Sequence, residues 1–296
     1  MHCEFLRIST EDKLELQGLF FKTKKVNPYT IIHIHGLAGN FYENRFIDQI
    51  AEELVDIGFN FLTINTRGHD YISDLLCEKN DFKSYERIGG AHEILMDSIL
   101  DIEAWLDYLE QHNLKKIILE GHSAGTIKVL NYILEKKDQR VKGLIFLSPW
   151  EAITIQRIFK GKKQYLELLT QAKKYISEGK GKSLLPEHFF SYPIDAYSYV
   201  NIFDENTRYN AFNFSDNEKE RLKELRKIEI PIFTLFGTIA ESVAMDPRQA
   251  LALLKEIVPG PCETAIIEGA PHNYLNFEKL VAIAVRDWLL ETFGVE

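Results

Sequence analysis

Short apolar runs alternate with amphipathic helical runs along most of the chain. The first two β-like runs alternate in polarity and predict a hairpin, whereas the later ones are apolar on both faces, as in strands buried between two layers. The predicted strands are residues 5–10, 14–21, 29–35, 59–66, 116–120, 141–147, 230–236 and 263–268. The predicted helices between them are residues 45–57, 93–109, 124–134, 246–258 and 281–293. This order predicts an α/β fold with a mostly parallel sheet flanked by helices.

One long segment interrupts the alternation. Between residues 150 and 227 no strand–helix unit is predicted, a helical run covers residues 165–176, and nine aromatic residues lie between positions 189 and 214. We predict that residues 1–149 and 228–296 form the core, and that residues 150–227 form a cap, or lid, inserted between the sixth and seventh core strands. Two interpretations of the rings stay open: they line a substrate pocket, or they pack the cap onto the core.

Composition excludes several classes of protein. The chain has 296 residues, 35 Lys and Arg against 44 Asp and Glu, and a net charge of −9. No basic stripe offsets that charge, so we expect neither nucleic acid nor a membrane as a partner. The three cysteines lie far apart and predict no disulfide framework. No signal-like N-terminus and no apolar run of ~18 residues is present, so we expect a cytoplasmic protein.

A candidate nucleophile lies in the G-H-S-A-G motif at residues 121–125, which matches G-x-S-x-G. The motif follows the apolar run 117–119 and opens the predicted helix at residue 124, which is the strand–turn–helix context that such a serine requires. Its glycines allow the strand and the helix to approach closely. We therefore predict Ser123 as the nucleophile; the alternative is a structural serine in a turn.

A serine hydroxyl needs a general base to act as a nucleophile. Where the serine lies in a G-x-S-x-G turn between a strand and a helix, that base is expected after the last strand. His272 fits, because the predicted strand 263–268 is followed by the turn Gly269-Ala270-Pro271-His272. The alternative for His272 is a surface loop histidine.

The acid that should orient this histidine is missing from its expected place. After the predicted strand 230–236, the pattern G-x-x-D-x-x-V puts an aspartate at position 240, which is Ala240. Four explanations stay open: Glu241 swings in, Glu151 acts from the end of another strand, Asp246 reaches back, or an aspartate at position 240 has been replaced. Loss of the acid costs a factor of about 10⁴ in turnover in serine proteases.

Two backbone N–H groups should hold the negative oxygen of a tetrahedral intermediate. One is that of Ala124, directly after the nucleophile. The other is that of Leu37, in the glycine-containing loop at residues 35–39.

Three further side chains are expected to border the substrate site: His35, His122 and Trp150. His35 should also brace the loop that carries Leu37. The His33–His35 pair raises the possibility of a metal, but no further ligand cluster follows, and no G-x-G-x-x-G follows the first strands. We therefore expect no metal and no organic cofactor.

With these residues in hand, the chain resembles the α/β-hydrolase superfamily over nearly its whole length. The resemblance rests on His35-Gly36, N-T-R-G-H-D at residues 65–70, G-H-S-A-G at residues 121–125 and G-A-P-H at residues 269–272. The stretch G-G-A-H-E at residues 89–93 and the cap are similar to serine-aminopeptidase-like esterases and fungal siderophore esterases.

The resemblance implies hydrolysis of an ester, thioester or amide through an acyl-enzyme. We expect a carboxylic-ester hydrolase whose small-molecule substrate has an apolar or aromatic part. Two other functions stay open: acyl transfer or cyclisation from the same acyl-enzyme, and ligand binding by a scaffold that has lost its acid.

Overall fold

The computed structural model describes residues 2–25, 29–79, 82–216, 220–239 and 241–294. The strands are β1 (Glu4–Ser9), β2 (Glu15–Phe21), β3 (Tyr29–Ile34), β4 (Asn60–Ile64), β5 (Asp74–Lys79), β6 (Phe82–Arg87), β7 (Lys116–His122), β8 (Val141–Leu147), β9 (Ile232–Ile239) and β10 (Cys262–Pro271). The helices are α1 (Arg45–Ile57), α2 (Ser98–Gln111), α3 (Ala124–Lys136), α4 (Ala152–Lys160), α5 (Lys162–Ser177), α6 (Ala196–Phe203), α7 (Pro247–Ile257) and α8 (Glu278–Phe293).

The described residues form an eight-stranded sheet in the order β1-β2-β4-β3-β7-β8-β9-β10. β1, β2 and β4 pair antiparallel, and every pair from β4 to β10 is parallel. The predicted α/β fold with a mostly parallel sheet is confirmed. Because parallel strands end at the same edge, the loops after β3, β7, β8, β9 and β10 gather there.

Helices cover both faces of this sheet. α1 and α8 pack with Ile31, Ile118 and Leu235 on one face, whereas Ile32 and Leu119 belong to the apolar cluster on the other. Neighbouring residues of one strand point to opposite faces, so a strand buried on both sides reads as a continuous apolar run. That is why the sequence pattern located these strands.

Some elements differ from the sequence prediction. α1 has its predicted bounds, but α2 begins at Ser98 rather than at residue 93, after two short 3₁₀ turns, Gly90–His92 and Leu95–Asp97. The β5–β6 hairpin was not predicted, because every residue of β6 is exposed and the strand has no buried face to give an alternating pattern.

We call residues 150–227, which connect β8 to β9, the β8–β9 segment. It contains α4, α5 and α6. Six of the nine aromatic residues between positions 189 and 214 are buried in the same apolar cluster as the sheet: Phe189, Tyr199, Phe203, Tyr209, Phe212 and Phe214. The segment is therefore packed onto the core by its aromatic residues. Among the helices described, none is both long enough and apolar enough to cross a bilayer.

Candidate active site

Ser123 occupies a strained corner between β7 and α3. Its backbone has φ 55° and ψ −123°, a conformation that costs a non-glycine residue roughly 1–3 kcal/mol and persists only where its surroundings enforce it. The Ser123 N–H donates to the carbonyl oxygen of Leu147 at 3.0 Å. A Cβ on Gly121 would lie 2.4 Å from the backbone of Gly125, and one on Gly125 would lie 2.2 Å from Ile34 O. Only glycines permit this approach.

Ser123 and His272 line the same cavity, of about 650 Å³, at the carboxyl edge of the sheet. The other walls come from loops after four different strands and from the β8–β9 segment, and they include Leu37, Tyr71, His122, Trp150, Ile155, Phe190, Tyr192 and Glu241. Two residues far apart in sequence thus meet at one site. The hydrogen bonds of the described residues include none between Ser123 Oγ and the imidazole, and such bonds often tighten only when substrate binds.

His272 is held through its backbone, while one ring nitrogen lacks a partner. Its carbonyl oxygen accepts a hydrogen bond from His122 Nε2 at 3.0 Å, and the two rings lie 4.9 Å apart. His272 Nδ1 is buried, and none of the residues with described positions hydrogen-bonds to it. Burial lowers the pKa of His272 to about 4. The ring is therefore neutral at pH 7, and the nitrogen that a triad acid would contact is unsatisfied.

Two of the four acid candidates have other roles. Glu151 is buried, and its carboxylate accepts from the backbone N–H of Ser215 at 2.7 Å and of Ala244 at 3.0 Å. Asp246 caps α7 by accepting from Arg248 N at 2.8 Å. Both carboxylates therefore serve the backbone rather than His272.

The other two candidates concern the loop after β9. Glu241 is exposed and lines the cavity, without a hydrogen bond to His272 among the described residues. Ala240 lies outside the described residues. Ile239 pairs with Pro271, so the residues directly before positions 240 and 272 are neighbours in the sheet.

The loop that carries Leu37 is held in place by the buried side chain of His35. A Cβ on Gly36 would lie 3.0 Å from Ser123 Cβ, so this loop passes directly beside the nucleophile. His35 Nδ1 donates to Gly36 O at 2.7 Å, and His35 Nε2 accepts from Thr66 N at 3.0 Å. Burial, with a contribution from Lys128, lowers the pKa of His35 well below its usual value. A neutral imidazole with its proton on Nδ1 satisfies both contacts.

A buried ion pair lies beneath this loop. Lys128 Nζ is 2.6 Å from Glu93 Oε1 and donates to Thr66 Oγ1 at 3.0 Å, with the lysine and glutamate side chains fully inaccessible. A Cβ on Gly68 would lie 2.1 Å from Glu93 Cδ. Sequence reasoning missed Lys128, Glu93 and Thr66. The one available clue was a lysine inside the apolar run T-I-K-V-L at residues 126–130.

The structure corrects one expected substrate contact. His35 is fully buried, both of its ring nitrogens bond to protein, and it lies behind the cavity wall. The expectation that it touches substrate was therefore wrong, although it does brace the loop. His122 and Trp150 line the cavity, as does Leu37. Ala124 begins α3, where the first N–H groups of a helix lack partners within the helix.

Comparisons with known proteins agree with this architecture. A family model described as the alpha/beta hydrolase fold matches residues 29–172. A protein from Mycoplasma pneumoniae described as an esterase/lipase is 27% identical over 161 residues, which are 54% of this chain and 51% of that protein. The chain therefore spans about half the length of this curated relative.

Solved structures match over the whole chain. Est1E from Butyrivibrio proteoclasticus, solved with ferulic acid, has a TM-score of 0.64 and 20% identity and covers 98% of this chain and 100% of its own. An esterase from Pyrococcus furiosus has a TM-score of 0.63 and 19% identity, covering 99% and 92%. The hydrolase GrgF from Penicillium has a TM-score of 0.66 and 17% identity, covering 100% of both chains. This chain therefore has the α/β-hydrolase fold.

Proposed function

We propose that this protein hydrolyses a carboxylic ester, with Ser123 as nucleophile and His272 as general base. The observation that carries the proposal is the strained corner at Ser123, which opens into the cavity that His272 also lines. Backbone strain of this kind clusters at active sites, so a strained serine between two obligatory glycines supports a catalytic role. The esterase descriptions of the relatives support the same class of reaction.

In the proposed mechanism, Ser123 Oγ attacks the ester carbonyl while His272 Nε2 takes its proton. The backbone N–H groups of Leu37 and Ala124 hold the oxyanion. The imidazolium then protonates the departing alcohol, and water releases the acid by the same steps in reverse. No metal or organic cofactor enters these steps.

The low basicity of His272 limits the attack by Ser123. A pKa of about 4 means that the neutral base is fully available at pH 7, but it accepts a proton weakly. A weakly activated serine needs a more electrophilic carbonyl, and ester carbonyls are more electrophilic than amide carbonyls. We therefore favour esters over amides, and activated esters over alkyl esters.

The acid is the incomplete part of the proposal. Glu241 lines the cavity and is exposed, so its side chain can rotate. We propose that Glu241 substitutes weakly for an aspartate at position 240.

The β8–β9 segment is proposed to act as the cap of the site. Trp150, Ile155, Phe190 and Tyr192 from this segment line the cavity, and their apolar surface suits a substrate with an apolar or aromatic part. Est1E was solved with an aromatic acid, ferulic acid.

A fluorophosphonate probe tests the proposal directly. It should label the wild-type protein and leave Ser123→Ala unlabelled, and 4-nitrophenyl butyrate should release nitrophenol only with the wild type. Equal labelling of both proteins would exclude Ser123 as the nucleophile. Mass spectrometry of the products separates hydrolysis from acyl transfer to an amine or alcohol.

One observation favours a second function, ligand binding without turnover. The unpartnered Nδ1 of His272 is what remains when a triad loses its acid. This alternative predicts saturable binding of an ester by calorimetry, with no release of nitrophenol.

A further inference from the structure

The charges around the catalytic cavity have one sign. Its lining residues, as far as the chain is described, include the carboxylates of Glu43 and Glu241 and neither lysine nor arginine. The whole chain does not impose this, since 35 of its 296 residues are Lys or Arg. The asymmetry therefore belongs to the cavity, and it is a local property distinct from the net charge of −9.

An aromatic wall lines the same cavity. Tyr71 from the core and Tyr192 from the β8–β9 segment form an edge-to-face pair with centroids 5.1 Å apart, and Phe190 lies 5.6 Å from Tyr192. Burial raises the pKa of Tyr192, and the nearby charges of Tyr71 and Glu43 raise it further. Glu43 and these rings line the cavity together.

A buried hydroxyl belongs to another residue of this lining. Ser242 lines the cavity, is 3% exposed, and its hydroxyl has no hydrogen-bond partner among the described residues. A buried hydroxyl without a partner is costly, and rotation of this short side chain toward the cavity would let its oxygen accept a hydrogen bond from a ligand.

Carboxylates, ring faces and a hydrogen-bond acceptor are the groups that bind an ammonium ion. We propose that the cavity selects esters that carry an ammonium group, on the acyl or the alcohol part, and disfavours esters that carry a carboxylate. This proposal rests on the proposed esterase function and adds its substrate class. Glu43 and Glu241 are exposed, so water and salt screen them, and the selectivity is moderate: about tenfold between the two kinds of ester at low salt.

The test uses three 4-nitrophenyl esters of equal length, those of 6-aminohexanoic acid, heptanoic acid and adipic acid. They share a leaving group and differ in a terminal ammonium, methyl or carboxylate group. We expect kcat/KM to fall in that order at 20 mM NaCl, and the ammonium-to-carboxylate ratio to shrink toward one at about 500 mM NaCl. Equal values, or the reverse order, overturn the proposal.

A charge variant with a matched control locates the effect. Glu43→Gln should lower the ammonium-to-carboxylate ratio about threefold, and Glu43→Lys should invert the preference. Glu291→Gln, an exposed position on α8, should leave the ratio at its wild-type value. A ratio that Glu43→Lys does not change overturns the assignment.

The failure of this inference differs from the failure of the proposed function. If the wild type does not hydrolyse the heptanoate ester or react with the fluorophosphonate, the esterase proposal fails. If it hydrolyses all three esters at similar rates, only the ammonium preference fails.

Discussion

The two sides of Ser123 differ in how completely their polar groups are hydrogen-bonded. On the side of Leu37, His35 hydrogen-bonds to the loop and to Thr66. Thr66 in turn accepts a hydrogen bond from Lys128, which is paired with Glu93. On the side of His272, the ring nitrogen that needs an acid is buried and unpartnered in the described structure.

In the proposed mechanism these two sides have different tasks, and the structure supports them by separate sets of contacts. Stabilising an oxyanion depends on rigid donors that are aimed in advance. Moving a proton depends on a base whose tautomer and orientation are held by a third group. In the proposed mechanism, buried contacts meet the first requirement, whereas the second depends on an exposed glutamate, Glu241.

Supplying an acid beside His272 should give the largest effect on the rate. Ala240→Asp should raise kcat for 4-nitrophenyl butyrate by about 10²-fold, a fraction of the 10⁴ that the acid is worth in serine proteases because Glu241 already substitutes in part. Steady-state kinetics measure the gain. Ala240→Asn is the matched control, and an equal gain in that variant would show that charge is not the cause.

Breaking the stronger side should damage the fold as well as the rate. Lys128→Met leaves the Glu93 carboxylate buried without its cation, which should lower the free energy of unfolding by about 3–5 kcal/mol. Urea unfolding followed by circular dichroism measures this loss. The double variant Lys128→Met/Glu93→Gln should recover much of the stability, and a double variant no more stable than the single one would contradict the ion-pair explanation.

Removing the substitute acid should cost less. Glu241→Gln should reduce kcat by less than about tenfold in the wild type, since its carboxylate must rotate to reach His272. In the Ala240→Asp background the same change should have no effect on kcat. With 4-nitrophenyl butyrate, which carries no ammonium group, a loss of similar size in both backgrounds would mean that Glu241 does not act through His272.

The pH profile should show the smallest change. Because burial lowers the pKa of His272 to about 4, the base stays neutral, and kcat/KM should be level from about pH 5.5 to 8. A carboxylate at position 240 would stabilise the imidazolium and raise that pKa, so Ala240→Asp should move the acid limb toward neutral pH. A wild-type limb near pH 6.5 would show that the ring is not desolvated.

The sequence predicted the parts of the site that depend on local pattern. Ser123 was identified because its glycines and flanking strand and helix are contiguous, and the buried strands because they are apolar on both faces. Lys128 and Glu93 meet across 35 residues of sequence, and no local pattern indicates such a contact. The start of α2 was missed for a related reason: residue 93 looks like a polar helix position, yet its side chain is buried beneath Gly68.

Glu151 has a mechanical consequence. Its carboxylate accepts hydrogen bonds from the backbone N–H of Ser215 in the β8–β9 segment and of Ala244 in the loop after β9. The same loop bears Glu241. The two hydrogen bonds couple the segment to the loop. If either one moved away alone, the buried carboxylate of Glu151 would lose one of its hydrogen-bond donors. The position of the β8–β9 segment beside the cavity and the position of the loop that bears Glu241 are therefore linked through one buried carboxylate.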